Sequence, residues 1–245
     1  MLPRRRCGLP SAGDGEIFMK VLRDLDLELD MPSVLWCQGE DPSGELSRAR
    51  QVELNHDLLP EARSLLGPAI GYDLFPLRHV RQNEVVIGAG ATFHGRLLAD
   101  RFGLAKEVAL AICTVGGDID DRVSDYRASG DEVRAVLLDG IGTAAVGELA
   151  EKAHTIIQDV AKERGWRASA PFQPGQLDWP LGDHRVFFRL LPTKKLGLSL
   201  NGNHLMVPTK STSMAVGLGE EMLPLAMDRA CKYCPLADGC RFSRE

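Results

Sequence analysis

Apolar and polar positions alternate along the chain in patterns that mark out its elements. In "VLRDLDLELD" leucine alternates with charge at Leu25, Leu27 and Leu29, the period-two mark of a half-buried strand. "DMPSVLWCQG" follows as a short helix, with Asp30 placed to cap it and Gly39 to end it. "SGELSRARQVELNHDLLPEARSLL" has a helical pattern that Pro60 should interrupt. "AIGYDLFPL" and "NEVVIG" read as strands, and "GAGATFHGRLLADRFGL" as the entry to a helix. "KEVALAICTVGG" is an apolar run bounded by glycine, hence a buried strand. "DIDDRVSDYRASG" is a short helix, and the stretch from "DEVRAVLLDG" to "AKERG" is the longest helical pattern. Its "GIGTAAVG" segment is small enough for close helix packing. "HRVFFRLL" reads as an amphipathic helix, and "KKLGLSLNGNHLMVP" and "KSTSMAVGLG" as strands joined by turns. No internal repeat, low-complexity tract or domain boundary interrupts the pattern.

At 245 residues, 44% hydrophobic and 26% charged, the chain can bury a full core. A net charge of −5 argues against nucleic acid as a partner, because phosphate binding needs a basic surface. The basic cluster Arg4 to Arg6 reads as part of a flexible arm over residues 1–16. No run of eighteen apolar residues is present to span a membrane, and no apolar segment follows the basic N-terminus as in a signal peptide. The expected location is the cytoplasm. There the six cysteines are reduced, and a cluster of them more often binds metal than forms disulfides.

Candidate chemistry is confined to a few segments. "VVIGAGATFHG" imitates a dinucleotide fingerprint, but its glycines Gly88, Gly90 and Gly95 are spaced GxGxxxxG and no acid follows at the end of a second strand. It reads as a strand-to-helix turn. The acids Asp118, Asp120 and Asp121 lie near a helix start, where the macrodipole favours them. The six histidines form no metal-binding pair, and no serine sits in a nucleophile elbow, so no catalytic residue is assigned. "CKYCPLADGC" places Cys231, Cys234 and Cys240 where three thiolates can share one metal, an iron–sulfur cluster or zinc. The fourth ligand is open: Cys37, Cys113, a histidine, a partner group or an exogenous ligand. The remaining segment, "SAPFQPGQLDWPLGDH", is a stiff, donor-poor loop set before a helix, suited to wrapping a small molecule or to turning a corner.

Taken together, "AICTVGGDIDDRVSDYRASGDEVRAVLLDGIGTAAVGELAEKAH", "FQPGQLDWPLGDHRVFFRLL" and "LGLSLNGNHLMVPTKSTS" resemble the activation (reactivation) domain of cobalamin-dependent methionine synthase. The cysteine tail is similar to that of small stand-alone members of this family. The resemblance covers residues 84–245 well and 17–83 loosely. It implies an α+β fold, a twisted antiparallel sheet flanked by helices, formed by one domain over 17–228 with a metal-binding tail at 229–245.

The resemblance also implies a role in restoring an oxidised corrinoid, with S-adenosylmethionine as methyl donor and one electron as reductant. The cobalamin itself would be carried by a partner, a corrinoid protein or cobalamin-dependent methyltransferase. Pro174 and Gly175 match the family's Pro-Gly, and Trp179, Pro180 and Leu181 its Trp-Pro-Leu. Gln176 stands where the family has a tyrosine, and Pro171 where it has the arginine expected to bind the ligand's carboxylate. Arg167 lies four residues away and would substitute only through a shifted strand. Lys210 and Ser211 would line the cleft, and Glu148 and Glu151 are candidates for the ligand's ammonium or ribose. Two readings follow. One is an accessory of a corrinoid methyltransferase that binds S-adenosylmethionine weakly, taking part in its reductive activation. The other is a metal-bearing accessory or electron-transfer subunit that has lost this ligand.

Overall fold

A strand with an unbroken apolar run must be covered on both faces, and β5 (Glu107–Thr114), apolar from Val108 through Cys113, is such a strand. Val108, Leu110 and Ile112 enter one core while Ala109, Ala111 and Cys113 enter the other. In this computed structural model, which describes residues 19–39, 48–88, 90–176 and 178–222, β5 lies in the middle of a seven-stranded sheet. The path runs β4 (Ala91–His94), β3 (Glu84–Ile87), β2 (Ala69–Arg81), β5, β9 (Ser211–Gly219) and β6 (Arg167–Ala168), with β1 (Lys20–Arg23) also paired to β2. Every pairing is antiparallel. The long β2 pairs β5 through Pro76 and β3 from Leu77, with a register shift between Leu77 and His79. The fold is the expected α+β arrangement.

One face of the sheet is covered by α1 (Met31–Gln38), α2 (Arg48–Leu65), α4 (Asp118–Ala128) and α5 (Glu132–Glu163). Leu138, Ile141, Ala145, Leu149, Ala153, Ile157 and Ala161 form the buried stripe of α5 at helical spacing. Two of its glycines serve close approach. A Cβ on Gly140 would lie 2.2 Å from Cγ of Gln38, and one on Gly142 would lie 3.1 Å from Cε of Lys210. Gln38 then reaches across to bond Asn55 and the Leu137 carbonyl, so the end of α1 is locked to α2 and α5. Glu61, Arg122 and Tyr126 tie α2 to α4: Arg122 and the Tyr126 hydroxyl donate to the two carboxylate oxygens at 2.5 and 2.8 Å.

The opposite face carries α3 (Arg96–Phe102), α6 (His184–Leu190), the β3–β4 hairpin and the segment around Trp179. Phe93, Trp179 and Phe187 meet at its centre, with ring centroids 5.2 to 6.1 Å apart. A separate two-stranded ribbon, β7 (Ser199–Leu200) and β8 (Met206–Val207), leads into β9.

Three expectations are corrected. The alternation at Leu25, Leu27 and Leu29 marks burial but no strand: the ladder stops at Arg23. Beyond it, side chains replace ladder bonds, as Glu148 accepts from the Glu28 amide and Arg63 donates to the Leu27 carbonyl. Pro60 does not interrupt α2, which continues to Leu65 with Pro60 on its exposed side. "GAGATFHG" is not a direct entry to a helix, because β4 intervenes before α3 begins at Arg96. Gly88 and Gly90, at φ +48° and +84°, belong to the β3–β4 turn, a backbone that L side chains adopt poorly.

Candidate functional site

The Pro-Gly loop owes its shape to its sequence. Gln173, Pro174, Gly175 and Gln176 form a type II turn: proline fixes the second position, Gly175 takes φ +91° at the third, and the Gln176 amide donates to the Gln173 carbonyl at 3.1 Å. Two further main-chain bonds close the loop, Gly175 to the Trp179 carbonyl at 2.8 Å and Trp179 to the Gln176 carbonyl at 3.0 Å. A Cβ on Gly175 would approach Leu181 to 3.1 Å.

Side chains fasten this loop to the other elements. Trp179, 3% exposed, fills the aromatic core, and its indole N–H donates to Asp183 at 3.0 Å. The same Asp183 oxygen accepts the His94 amide at 2.8 Å, which joins the loop to β4. Asp178 accepts from the amides of Arg96 and Leu97 at 2.6 and 3.3 Å. It thereby caps α3 from a distance, since Gly95 at the cap position has no side chain to do so. After Pro180 a 3-10 turn over Leu181–Asp183 runs into α6.

The lead-in to the loop follows the edge of β9. Arg167 faces Gly219, and after a one-residue slip Phe172 bridges Ala215. His154 of α5 bonds the Ser169 carbonyl at 2.9 Å. Pro174 is buried, whereas Gly175 and Gln176 are exposed at the turn. Pro171 lies in the lead-in and has no N–H to offer. Arg167 stands six residues along β9 from Ser213, about 20 Å at strand rise, so the slip does not carry it to the turn.

The other predicted residues are distributed over both faces. Lys210 and Ser211 sit together where β9 begins. The Lys210 ammonium is already committed to α5, donating to Asp139 at 2.8 Å and Thr143 at 3.1 Å. The Ser211 hydroxyl bonds Thr114 and the Pro208 carbonyl at 2.9 and 2.8 Å. Thr209 is held by both oxygens of Asp120, so this acid of "GGDIDD" anchors the segment as well as opening α4. Glu148 lies in the helix layer. One carboxylate oxygen takes the Glu28 amide at 2.6 Å, while the other is buried without a partner among the described residues. Glu151 is exposed on α5. The structure therefore gathers Pro174, Gly175 and Gln176 at one turn and Lys210 with Ser211 at the start of β9. It sets Glu148 apart, on the far side of the sheet from Trp179.

Ser213 was not singled out from the sequence. It is 1% exposed and its hydroxyl has no partner among the described residues. It shares a strand face with Ser211 and Ala215, and Ala215 pairs the loop's lead-in at Phe172. The signal was present in "STSMAVGLG": small residues at Ser211, Ser213, Ala215 and Gly217 alternate with the larger Met214, Val216 and Leu218.

Cys231, Cys234 and Cys240 lie outside the described residues. Among the described residues no group of three metal-ligating side chains comes together. Cys113 is fully buried in β5, and burial pushes its thiol up to about 12, which makes it a core residue rather than a ready thiolate ligand. Among the described residues no helix is long and apolar enough to cross a membrane.

No protein-family model matches the sequence, and no curated protein matches it. Among solved structures, the crystal structure of the MetH reactivation domain bound to AdoHcy is similar, with a TM-score of 0.58 and 15% sequence identity. The match covers 79% of this chain and 73% of that chain. At this identity the likeness is one of fold.

Proposed function

We propose that this protein is an accessory of a corrinoid-dependent methyltransferase and that its Pro-Gly loop seats an S-adenosylmethionine-class ligand at low affinity. The observation that carries the proposal is the loop. A type II Pro-Gly turn, anchored by Trp179 and Asp183, is carried on a fold similar to that of a domain solved with AdoHcy bound. The fit is partial. The exposed Gln176 side chain would supply a neutral hydrogen bond, while Pro171 supplies none and the Lys210 charge is spent on Asp139. A charge-assisted pair is worth about 1.5–3 kcal/mol, so its absence weakens binding by roughly one to two decades.

When bound, S-adenosylmethionine supplies a methyl group bonded to a sulfonium. The residues of this chain would hold and orient the ligand and keep water from one side of it. The test is a pull-down from the native host, followed by mixing with the recovered corrinoid protein in its cob(II)alamin state. Co-purification and a change in the corrinoid spectrum are expected. Recovery of no corrinoid protein or methyltransferase, with no spectral change, would contradict the reading.

A second reading is favoured by the replacements at Pro171 and Gln176. In it the chain acts as a metal-bearing accessory or electron-transfer subunit through Cys231, Cys234 and Cys240. The two readings separate on ligand binding and on metal content.

A further inference from the structure

The segment that imitates a dinucleotide fingerprint has a different use in the fold. Its β3–β4 turn and β4 form one wall of a cavity of about 480 Å³, and α6 with the turn before it forms the other. Gly90, Thr92 and His94 line the first wall, and Gly182, Asp183, Arg185 and Arg189 contribute to the second. None of the residues placed at the Pro-Gly turn or at the start of β9 lines it.

Among the described residues that line this cavity, two arginines stand against one carboxylate, Asp183. Arg185 and Arg189 are four residues apart on α6, on one helix face, where like charges repel. Both are exposed, and among the described residues neither forms an ion pair. Arg185 uses one N–H on the Gly182 carbonyl at 3.1 Å and keeps its others. Asp183 offsets at most one of them, and its oxygens are turned to other partners. One of its oxygens is held by the Trp179 indole and the His94 amide, the other lies 3.5 Å from His94 Nδ1, and its side chain is 11% exposed. In a chain of net charge −5, a cavity lined by one carboxylate and by two guanidiniums that form no ion pair among the described residues is an exception that calls for an anion.

We propose that this cavity binds the phosphate group of a small organic phosphomonoester. The donors arrive from opposite walls: two guanidiniums from α6, the Thr92 hydroxyl and the His94 ring from β4. That geometry suits a tetrahedral dianion with three acceptor oxygens, whereas a planar carboxylate is best served by a single guanidinium fork. Gly90 and Gly182 present no side chain, and a Cβ on Gly90 would meet nothing within 4 Å, so an anion can approach the backbone. The volume exceeds that of phosphate alone and falls in the range of small-molecule sites.

The test is titration of the full-length protein with inorganic phosphate, and separately with succinate at the same ionic strength, followed by amide resonances. Phosphate should give saturating shifts at Gly90, Thr92, His94 and Gly182. Arg185→Gln and Arg189→Gln should each weaken it about tenfold or more, the loss of one charge-assisted contact. Arg127→Gln, on α4 across the sheet, should leave it unchanged. The proposal is overturned if phosphate gives no saturating shifts or shifts elsewhere. It is equally overturned if succinate matches phosphate or if the α6 variants bind as the wild type does. None of these outcomes bears on the Pro-Gly loop or on a corrinoid partner.

Discussion

Trp179 and Asp183 are joined by a 3.0 Å bond from the indole N–H to a carboxylate oxygen that also takes the His94 amide at 2.8 Å. One aspartate thus fixes the Trp-Pro segment to its own following turn and to β4. Asp183→Ala would leave both donors unpaired in a site where Trp179 is 3% exposed. We expect a loss of about 2–3 kcal/mol in stability, one partner removed from two donors. Chemical denaturation with tryptophan fluorescence checks this, and an unchanged midpoint would mean that the loop is held by packing alone.

The glycines of α5 should respond in opposite directions. Gly147→Ala meets nothing within 4 Å and should stabilise by about 0.5–1 kcal/mol through helix propensity. Gly140→Ala gains the same propensity but drives a methyl to 2.2 Å from Cγ and 3.2 Å from Cα of Gln38, whose amide is bonded to Asn55 and Leu137. A net loss of about 1–2 kcal/mol is expected from overpacking. Thermal unfolding of the two variants side by side reads the difference in sign.

Acid should loosen α6 before the carboxylates titrate. Burial holds the His184 imidazole below its ordinary range, and the His204 carbonyl bonded to it opposes this only in part. The folded state therefore binds fewer protons than the unfolded one just below the ordinary histidine value of about 6.5. The contribution is complete above that value and is lost as pH falls through the lower folded-state value. Unfolding measured from pH 7.5 to pH 5 should show stability falling with acid in the wild type and a flatter profile in His184→Gln. Parallel profiles would contradict the assignment.

The cysteine tail predicts a bound metal. Protein prepared without oxygen should carry iron with sulfide, or zinc, and Cys234→Ser should lose metal and melt at a lower temperature. Iron–sulfur would show in the visible spectrum and in redox activity; zinc would not. A metal-free wild type, with an unchanged melting temperature in the variant, would make these cysteines bystanders.

Local patterns carried much of the fold. Asp30 accepts from the Ser33 amide at 2.9 Å, as its place before "MPSV" predicts, and α1 ends at Gly39. The apolar run of β5 and the long stripe of α5 follow from periodicity alone. Contacts remote in sequence were not legible. Asp178 caps α3 from 82 residues away, and Asp183 reaches back 89 residues to His94. Glu148 reads as a candidate for ligand binding because a carboxylate on a helix gives no sign of the distant amide it holds. Lys210 likewise gives no sign of the Asp139 and Thr143 that occupy its charge. Ser213 is visible only once the two faces of β9 are separated.

The proposed seating of an S-adenosylmethionine-class ligand at the Pro-Gly loop without a charged contact is tested most directly by calorimetric titration. Wild-type protein should bind S-adenosylmethionine more weakly than micromolar. A Pro171→Arg, Gln176→Tyr double variant should bind about tenfold or more tightly than the wild type, as one charge-assisted pair is restored. Micromolar or tighter binding by the wild type, or no binding by either protein at millimolar ligand, would contradict the account.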